Sequence, residues 1–357
     1  MGLEDALRQL SNPDECERIY AAEDLGLAGS CDAIDPLFRR AVEEPSQAVR
    51  EAIFRALAQI PDPAVIRRAA ELLLSDDPGL RNQALELLQS RGSAVAPELH
   101  RLLSVDDRDL RKFAVDVLSR IETPEIEELL AIALADNDAN VVITALENVR
   151  HCHAAPLRQA VLEHALRGEH PMVVLAAMEA LARIGDAECY RRIRERFPTL
   201  EATPPLYLPP ALKLVGSEGK NGDLLELQTL LANCTPSLRP AVLDALRNLM
   251  ARAGAAEVAD EWWRELLAAL PETQAEAERY QMLMLLGYFG HFEPVYETLL
   301  AHLDSPVKAD RLGAIEALER NANRFEATGC ALRSRLRLET EPEVKQAIED
   351  ALQATGL

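Results

Sequence analysis

The chain has 357 residues, 48% of them hydrophobic but only 4% aromatic, and carries a formal net charge of −21 with a pI near 4.8. Such an acidic excess repels phosphate backbones and anionic lipid unless a basic patch overrides it. The short basic clusters, Arg191-Arg192 with Arg194 and Arg196, and Arg333 with Arg335 and Arg337, read as solvated helix faces, so neither nucleic acid nor a membrane is an expected partner.

No apolar run approaches the roughly 18 residues of a membrane span, and the N-terminus lacks the apolar core of a signal peptide. A soluble, cytoplasmic protein is expected. Cys16, Cys31, Cys152, Cys189, Cys234 and Cys330 are scattered without a CxxC pair, which predicts reduced thiols buried as small hydrophobes.

Taken in order, Met1 to Leu10 reads as a capping helix. A first unit follows, with Arg18-Ile19-Tyr20-Ala21-Ala22 and Leu25-Gly26 in its leading helix and Ile34 to Val42 in its partner. The second unit is more explicit. A helix over Gln47 to Ile60 is stopped by Pro61 and Pro63, and another over Ala64 to Leu74 ends before Ser75-Asp76-Asp77-Pro78 opens the third unit. Asp and Ser at such positions accept from the free N–H groups of a helix start, and Pro fits the first turn. The same chemistry returns at Asp106-Asp107, Asp136-Asn137-Asp138 and Asp304-Ser305-Pro306, so these acids read first as caps.

One position sets the period. The apolar residues Val49, Leu80, Leu110, Val141 and Val173 recur at spacings of 31, 30, 31 and 32 residues, which marks a stacked array. Within a unit, apolar residues fall at three- and four-residue steps, as in Leu80, Ala84, Leu87 and Leu88, giving one helical stripe and not the alternation of a strand. Val49-Arg50, Leu80-Arg81 and Leu110-Arg111, each followed by Ala-rich helices with Ala-Leu pairs, resemble HEAT repeats of the phycobilisome-lyase-like type over nearly the whole chain. That resemblance implies an all-α, right-handed α-α superhelical solenoid of about ten to eleven helix pairs. It further implies that Arg50, Arg81 and Arg111 pair with the loop Asp between repeats, a ladder interrupted where Val142 and Val174 replace the Arg.

Residues 1–197 thus form an N-terminal array. Regularity fails over 198–223, where Pro198, Pro204, Pro205, Pro209 and Pro210 precede Gly216, Gly219 and Gly222, predicting a degenerate repeat or hinge. The helix around Leu206 to Val215 should be short or start late, and Gly216 to Asp223 should be a flexible turn, because P-loop spacing is absent. Residues 224–357 form a C-terminal array with a cap. Its helices are expected over Leu238 to Leu249 and Glu257 to Leu267, Ala275 to Gly287 and Glu293 to Leu303, Val307 to Arg320 and Gly329 to Leu338, and finally Val344 to Leu352.

Superposing the units on their Ala-Leu pair aligns Glu23, Arg55, Glu86, Asp116, Glu147, Glu179, Lys213, Asp244, Met284, Glu316 and Asp350, of which eight are acidic. If these helices line the concave side, as their counterparts do in such solenoids, charges about 10 Å apart form an acidic stripe. The run Glu86, Asp116, Glu147 and Glu179, flanked by Asn82, Gln83, Lys112, Asn140 and Thr144, is the candidate surface for a basic or amphipathic segment of another protein. Glu is also simply a good helix former that can face water or pair with Arg.

A second candidate surface is aromatic. Trp262, Trp263, Tyr280, Tyr288, Phe289, Phe292 and Tyr296 place seven of the fifteen aromatic residues within 35 positions, and Trp and Tyr dominate interface hot spots. Two adjacent Trp cannot share one helix stripe, so one belongs to the core and the other is the contact candidate. His151-Cys152-His153, with His164 and His170, lacks paired zinc spacing and reads as a surface turn. No nucleophile elbow, Walker motif or ordered triad emerges, so no catalytic residue, metal or cofactor is expected.

The leading expectation is a non-catalytic scaffold or regulatory adaptor for a protein partner. Its rival is a phycobilin lyase or isomerase, or a chaperone handling a tetrapyrrole, because phycobilin lyases share the solenoid and the aromatic cluster could line a pigment groove. A HEAT-like DNA glycosylase would need a basic inner face, which the acidic row opposes.

Overall fold

A computed structural model of the chain describes residues 2–121, 123–149, 155–253, 261–321 and 326–355. Among these residues all regular structure is helical, and the chain divides into two compact units, Met1–Ala180 and Leu181–Leu357. The first holds α1 (Leu3–Gln9), α2 (Glu15–Ala28), α3 (Ile34–Glu43), α4 (Gln47–Gln59), α5 (Pro63–Glu71), α6 (Pro78–Ser90), α7 (Ala96–Leu102), α8 (Arg108–Leu118), α9 (Ile126–Leu134), α10 (Ala139–Asn148), α11 (Ala155–Arg167) and most of α12 (Pro171–Ile184). The second holds α13 (Ala187–Arg196), α14 (Leu208–Glu218), α15 (Gly222–Asn233), α16 (Arg239–Ala253), α17 (Trp262–Ala269), α18 (Glu276–Leu286), α19 (Glu293–His302), α20 (Lys308–Glu319), α21 (Glu326–Leu338) and α22 (Pro342–Thr355). The result is an α-α solenoid in which odd-numbered helices pack on the even-numbered helix that follows, as α1 does on α2, α3 on α4, α19 on α20 and α21 on α22.

Local chemistry starts the helices where the sequence places the starts. Ser46, Asp62, Asp77, Asp107 and Asp138 stand just before α4, α5, α6, α8 and α10, and each accepts a hydrogen bond from a free backbone N–H of the first turn. Pro63 and Pro78 occupy first turns, where their missing N–H costs nothing.

The even-numbered helices stack on one another in both units, from α2 to α10 and from α14 to α22, and pack more tightly than the odd-numbered layer. Small residues permit this. A Cβ on Gly26 of α2 would lie 2.7 Å from Cα of Ala56 on α4, and one on Gly287 would lie 2.8 Å from Cα of Ala317 on α20. Two layers of unequal spacing bend toward the tighter one, which is the physical ground for expecting the outward edge of the even-numbered helices on the inner side of each unit.

An arginine clamp repeats along the array. Arg111 donates from Nη1 to the carbonyls of Val105 and Asp106 at 3.0 and 2.8 Å, and from Nε and Nη2 to Asp136 of the following loop at 2.6 and 3.0 Å. Arg18 makes the same contacts to Asn12, Pro13 and Glu44, and Arg311 to Ser305, Pro306 and Glu339. Arg279 joins Thr273 and Gln274 to Asp310. Each clamp ties the loop before its helix to the loop one repeat on. Arg50 keeps the ion pair alone, with Asp77 at 2.7 Å, and Arg81 keeps the carbonyl contact, to Ser75. The loop-Asp pairing implied for Arg81 is therefore replaced by a bond to backbone.

Two acids at the clamps are nearly sealed. Burial alone would raise the Glu339 carboxyl, but the N–H of Glu341 and the guanidinium groups of Arg335 and Arg311 outweigh it and hold it at about 2, below its ordinary 4.5. Glu44, bonded by Arg18, Arg40 and the Ser46 N–H, is likewise held low against its burial.

The proline-rich stretch is tied down within its own unit. Helix α14 starts late, at Leu208, with Pro209 and Pro210 in its first turn. Glu226 of α15 accepts from Arg194 at 2.5 Å and from the Leu200 N–H, and Asp223 accepts from the Tyr190 hydroxyl at 2.5 Å. Gly216 lies inside α14, buried, where a Cβ would stand 3.1 Å from Cα of Ala245. The turn expected from Gly216 to Asp223 thus shrinks to Gly219–Asn221, and α15 follows at once.

The thiols also depart from expectation. Cys189 is buried and Cys234 half-buried, but Cys16, Cys31 and Cys330 are exposed. Each exposed thiol falls on the polar side of its element, outside the apolar stripe. Cys152 lies outside the described residues. No described helix is long and apolar enough to cross a membrane.

Candidate protein-binding surface

The four acidic candidates sit on successive even-numbered helices: Glu86 on α6, Asp116 on α8, Glu147 on α10 and Glu179 on α12. Glu86, Glu147 and Glu179 are exposed and make no ion pair with another described residue. Asp116 differs. It is half-buried, and Lys112 one turn earlier reaches it at 3.0 Å, so its charge is matched within its own helix. One of the four candidates thus has its charge neutralised within its own helix.

Glu86 borders a groove of about 370 Å³ between α4 and α6, floored by Phe54, Ala58 and Leu87. Arg55, at the equivalent position on α4, lines the same groove with Glu51, and Oε1 of Gln83 is shielded there without a hydrogen-bond donor. Among the flanking residues, Asn82 and Asn140 are exposed, as expected of a contact surface. Thr144 is not available to a partner. It is 7% exposed, and its hydroxyl is turned back onto the Asn140 carbonyl at 2.9 Å.

The equivalent row in the second unit is internally paired. Asp244 accepts from Arg247 at 2.6 Å and from Asn248 at 3.2 Å, Glu316 accepts from the Tyr280 hydroxyl at 2.8 Å, and Met284 is buried. Among the described residues, Glu86, Glu147 and Glu179 of the first unit make no ion pair.

The aromatic candidates do not form one patch. Trp262 is core, 5% exposed, with its ring edge-on to Phe289 at 6.1 Å between centroids. Trp263 is half-buried, stacked on Phe292 at 5.0 Å and capped by the Arg264 guanidinium. Tyr296 is buried and bonded to Thr328 at 2.7 Å. Tyr280 and Tyr288 lie on the inner edge of α18 and the turn after it, where burial, then the bond to Glu316, pushes the Tyr280 phenol up to about 12. Contiguity in sequence hid a division among the core, the turn side and the inner side. The spacing Tyr280, Met284, Tyr288, four residues apart each time, was the available signal for the inner stripe.

Arg247 and Arg320, which sequence reasoning passed over, flank that stripe. Both act electrostatically on Tyr288, and the Arg320 guanidinium lies 4.6 Å above its ring. Among histidines, His164 bonds through Nε2 to the Leu134 carbonyl at 2.8 Å. His151, Cys152 and His153 lie outside the described residues.

The sequence model of the family described as HEAT repeats matches residues 3–89. No curated protein sequence matches the chain. Among solved structures, an engineered protein aligns over 100% of both chains at 18% identity with a TM-score of 0.37. YibA of Escherichia coli aligns over 71% of this chain and 93% of its own at 19% identity and 0.42. Kap95, in a complex with Nup1, shares the fold: the TM-score is 0.58 at 12% identity over 99% of this chain, which spans 56% of that one. The match is to HEAT repeats in general and does not single out the phycobilisome-lyase-like type. The HEAT-repeat match thus covers the N-terminal helix pairs, and paired, clamped helices of the same kind continue through both units.

Proposed function

We propose that this protein is a non-catalytic scaffold that holds a partner protein on the inner face of its first unit, through a basic or amphipathic segment laid along Glu86, Asp116, Glu147 and Glu179. The observation that carries this reading is that Glu86, Glu147 and Glu179 stand exposed, without an ion pair to another described residue, at equivalent sequence positions of α6, α10 and α12. Successive carboxylates on a concave wall reinforce one another's field, which favours a cation and steers its approach. The groove beside Glu86, apolar at its floor and carrying Glu51 and Glu86 against the single Arg55, suits a residue with an aliphatic stem and a positive head. Kap95, the HEAT-fold neighbour solved with Nup1, lends the reading support by analogy of fold alone.

The test is capture from the native host with the tagged full chain at about 50 and 500 mM salt, where screening shrinks the range of surface charge to a few ångströms. A defined protein retained at low salt and released at high salt is expected. Capture indifferent to salt removes the acidic face from the account.

A further inference from the structure

The inner edge of the second unit carries donors that have lost water without gaining an acceptor. The Tyr288 hydroxyl and Nε of Arg247 are both shielded from solvent and have no hydrogen-bond partner. Arg247 spends Nη2 on Asp244, leaving Nε unused. Arg320 is exposed and stacked on the Tyr288 ring, and it makes no ion pair with a described residue. In a chain of net charge −21, these groups make a local patch of unanswered donors.

We propose that the inner face of α16, α18 and α20 binds a carboxylate side chain of an acidic partner segment, held by Arg247, the Tyr288 hydroxyl and Arg320. A stacked guanidinium keeps its N–H edge free while its plane is fixed, so little ordering is needed when a carboxylate arrives. Both arginines act on Tyr288, so their positive fields converge near its hydroxyl, where a buried donor lacking an acceptor is costly. Gln281 of α18 likewise has a shielded Oε1 without a donor. Asp244 and Glu316 border the site and oppose a dianion, which favours a carboxylate over a phosphate.

This proposal rests on reading the chain as a protein-binding scaffold, but it uses the other unit and the opposite charge, so the two can fail separately. The probe is a blocked decapeptide of alternating Glu and Leu, titrated calorimetrically into the full chain beside its Gln counterpart and inorganic phosphate. The Glu peptide should bind, the Gln peptide should not, and Arg320→Glu should weaken binding about tenfold or more. Tyr288→Phe should weaken binding while the melting temperature stays level or rises, because it deletes an orphaned buried hydroxyl. Equal binding of the Glu and Gln peptides, indifference to Arg320→Glu, or phosphate binding as tightly as the peptide overturns the proposal. So does a fall in melting temperature for Tyr288→Phe, which would mean the hydroxyl already has a partner within the fold.

Discussion

Arg311 of α20 and Glu339, the residue just past α21, meet through two parallel hydrogen bonds of 2.8 and 3.1 Å, with side chains 8% and 1% exposed. Arg18 and Glu44 repeat the arrangement in the first unit at 3.0 Å for both bonds. The supporting residues correspond too, since Arg40 and Ser46 stand to Glu44 as Arg335 and Glu341 stand to Glu339. One device secures a repeat junction in each unit.

Removing one partner of such a pair strands the other charge. Glu339→Gln should lower unfolding free energy by about 3–5 kcal/mol, because Arg311 and Arg335 would be left facing an amide in a shielded site. Urea denaturation checks this.

The same carboxylate sets an acid response. Its pKa is about 2 when folded against an ordinary 4.5, so the unfolded chain binds the proton first. The stability this contributes is present above pH 4.5 and is lost as the pH falls through that value toward 2. Wild type should lose stability across that window, and Glu339→Gln should show a shallower loss over the same range.

Gly26→Val should separate α2 from α4, since even a Cβ would lie 2.7 Å from the Ala56 backbone. Overpacking of this kind costs about 1–3 kcal/mol. A melting temperature unchanged from wild type would contradict the close approach assigned to this pair.

The two adjacent tryptophans should behave differently. Trp262→Ala empties a core site and should cost about 3–5 kcal/mol. Trp263→Ala, on a half-buried stack with Phe292, should cost well under half as much. Equal losses from the two variants would contradict the division between core and surface.

Much of the fold was legible because repeat spacing, helix stops and caps are local and written in residue type. Helix α4 begins at Gln47 and ends one residue short of the expected Ile60, and α3 follows Ile34 as read. Helix α15 was missed because Asn221 before it makes no side-chain cap. Asp223, already inside the first turn, instead accepts from the Lys220 N–H at 2.6 Å. The clamp was only half legible. Its acceptors lie at offsets of 25 to 31 residues and are Asp in some repeats and Glu in others, which no fixed spacing captures. At the candidate surface, the Lys112 to Asp116 spacing foretold their pairing, whereas the turning in of Thr144 depends on packing that sequence does not state.

The acids of the first unit are proposed to bind a partner and not to stabilise the fold. The direct measurement is a variant carrying Glu86→Lys, Asp116→Lys, Glu147→Lys and Glu179→Lys, compared with wild type for helicity, melting and partner capture at low salt. Three of the four residues have no ion pair with another described residue, so helicity and melting should stay nearly unchanged while capture of the salt-sensitive partner disappears. Undiminished capture by a folded variant would contradict the account.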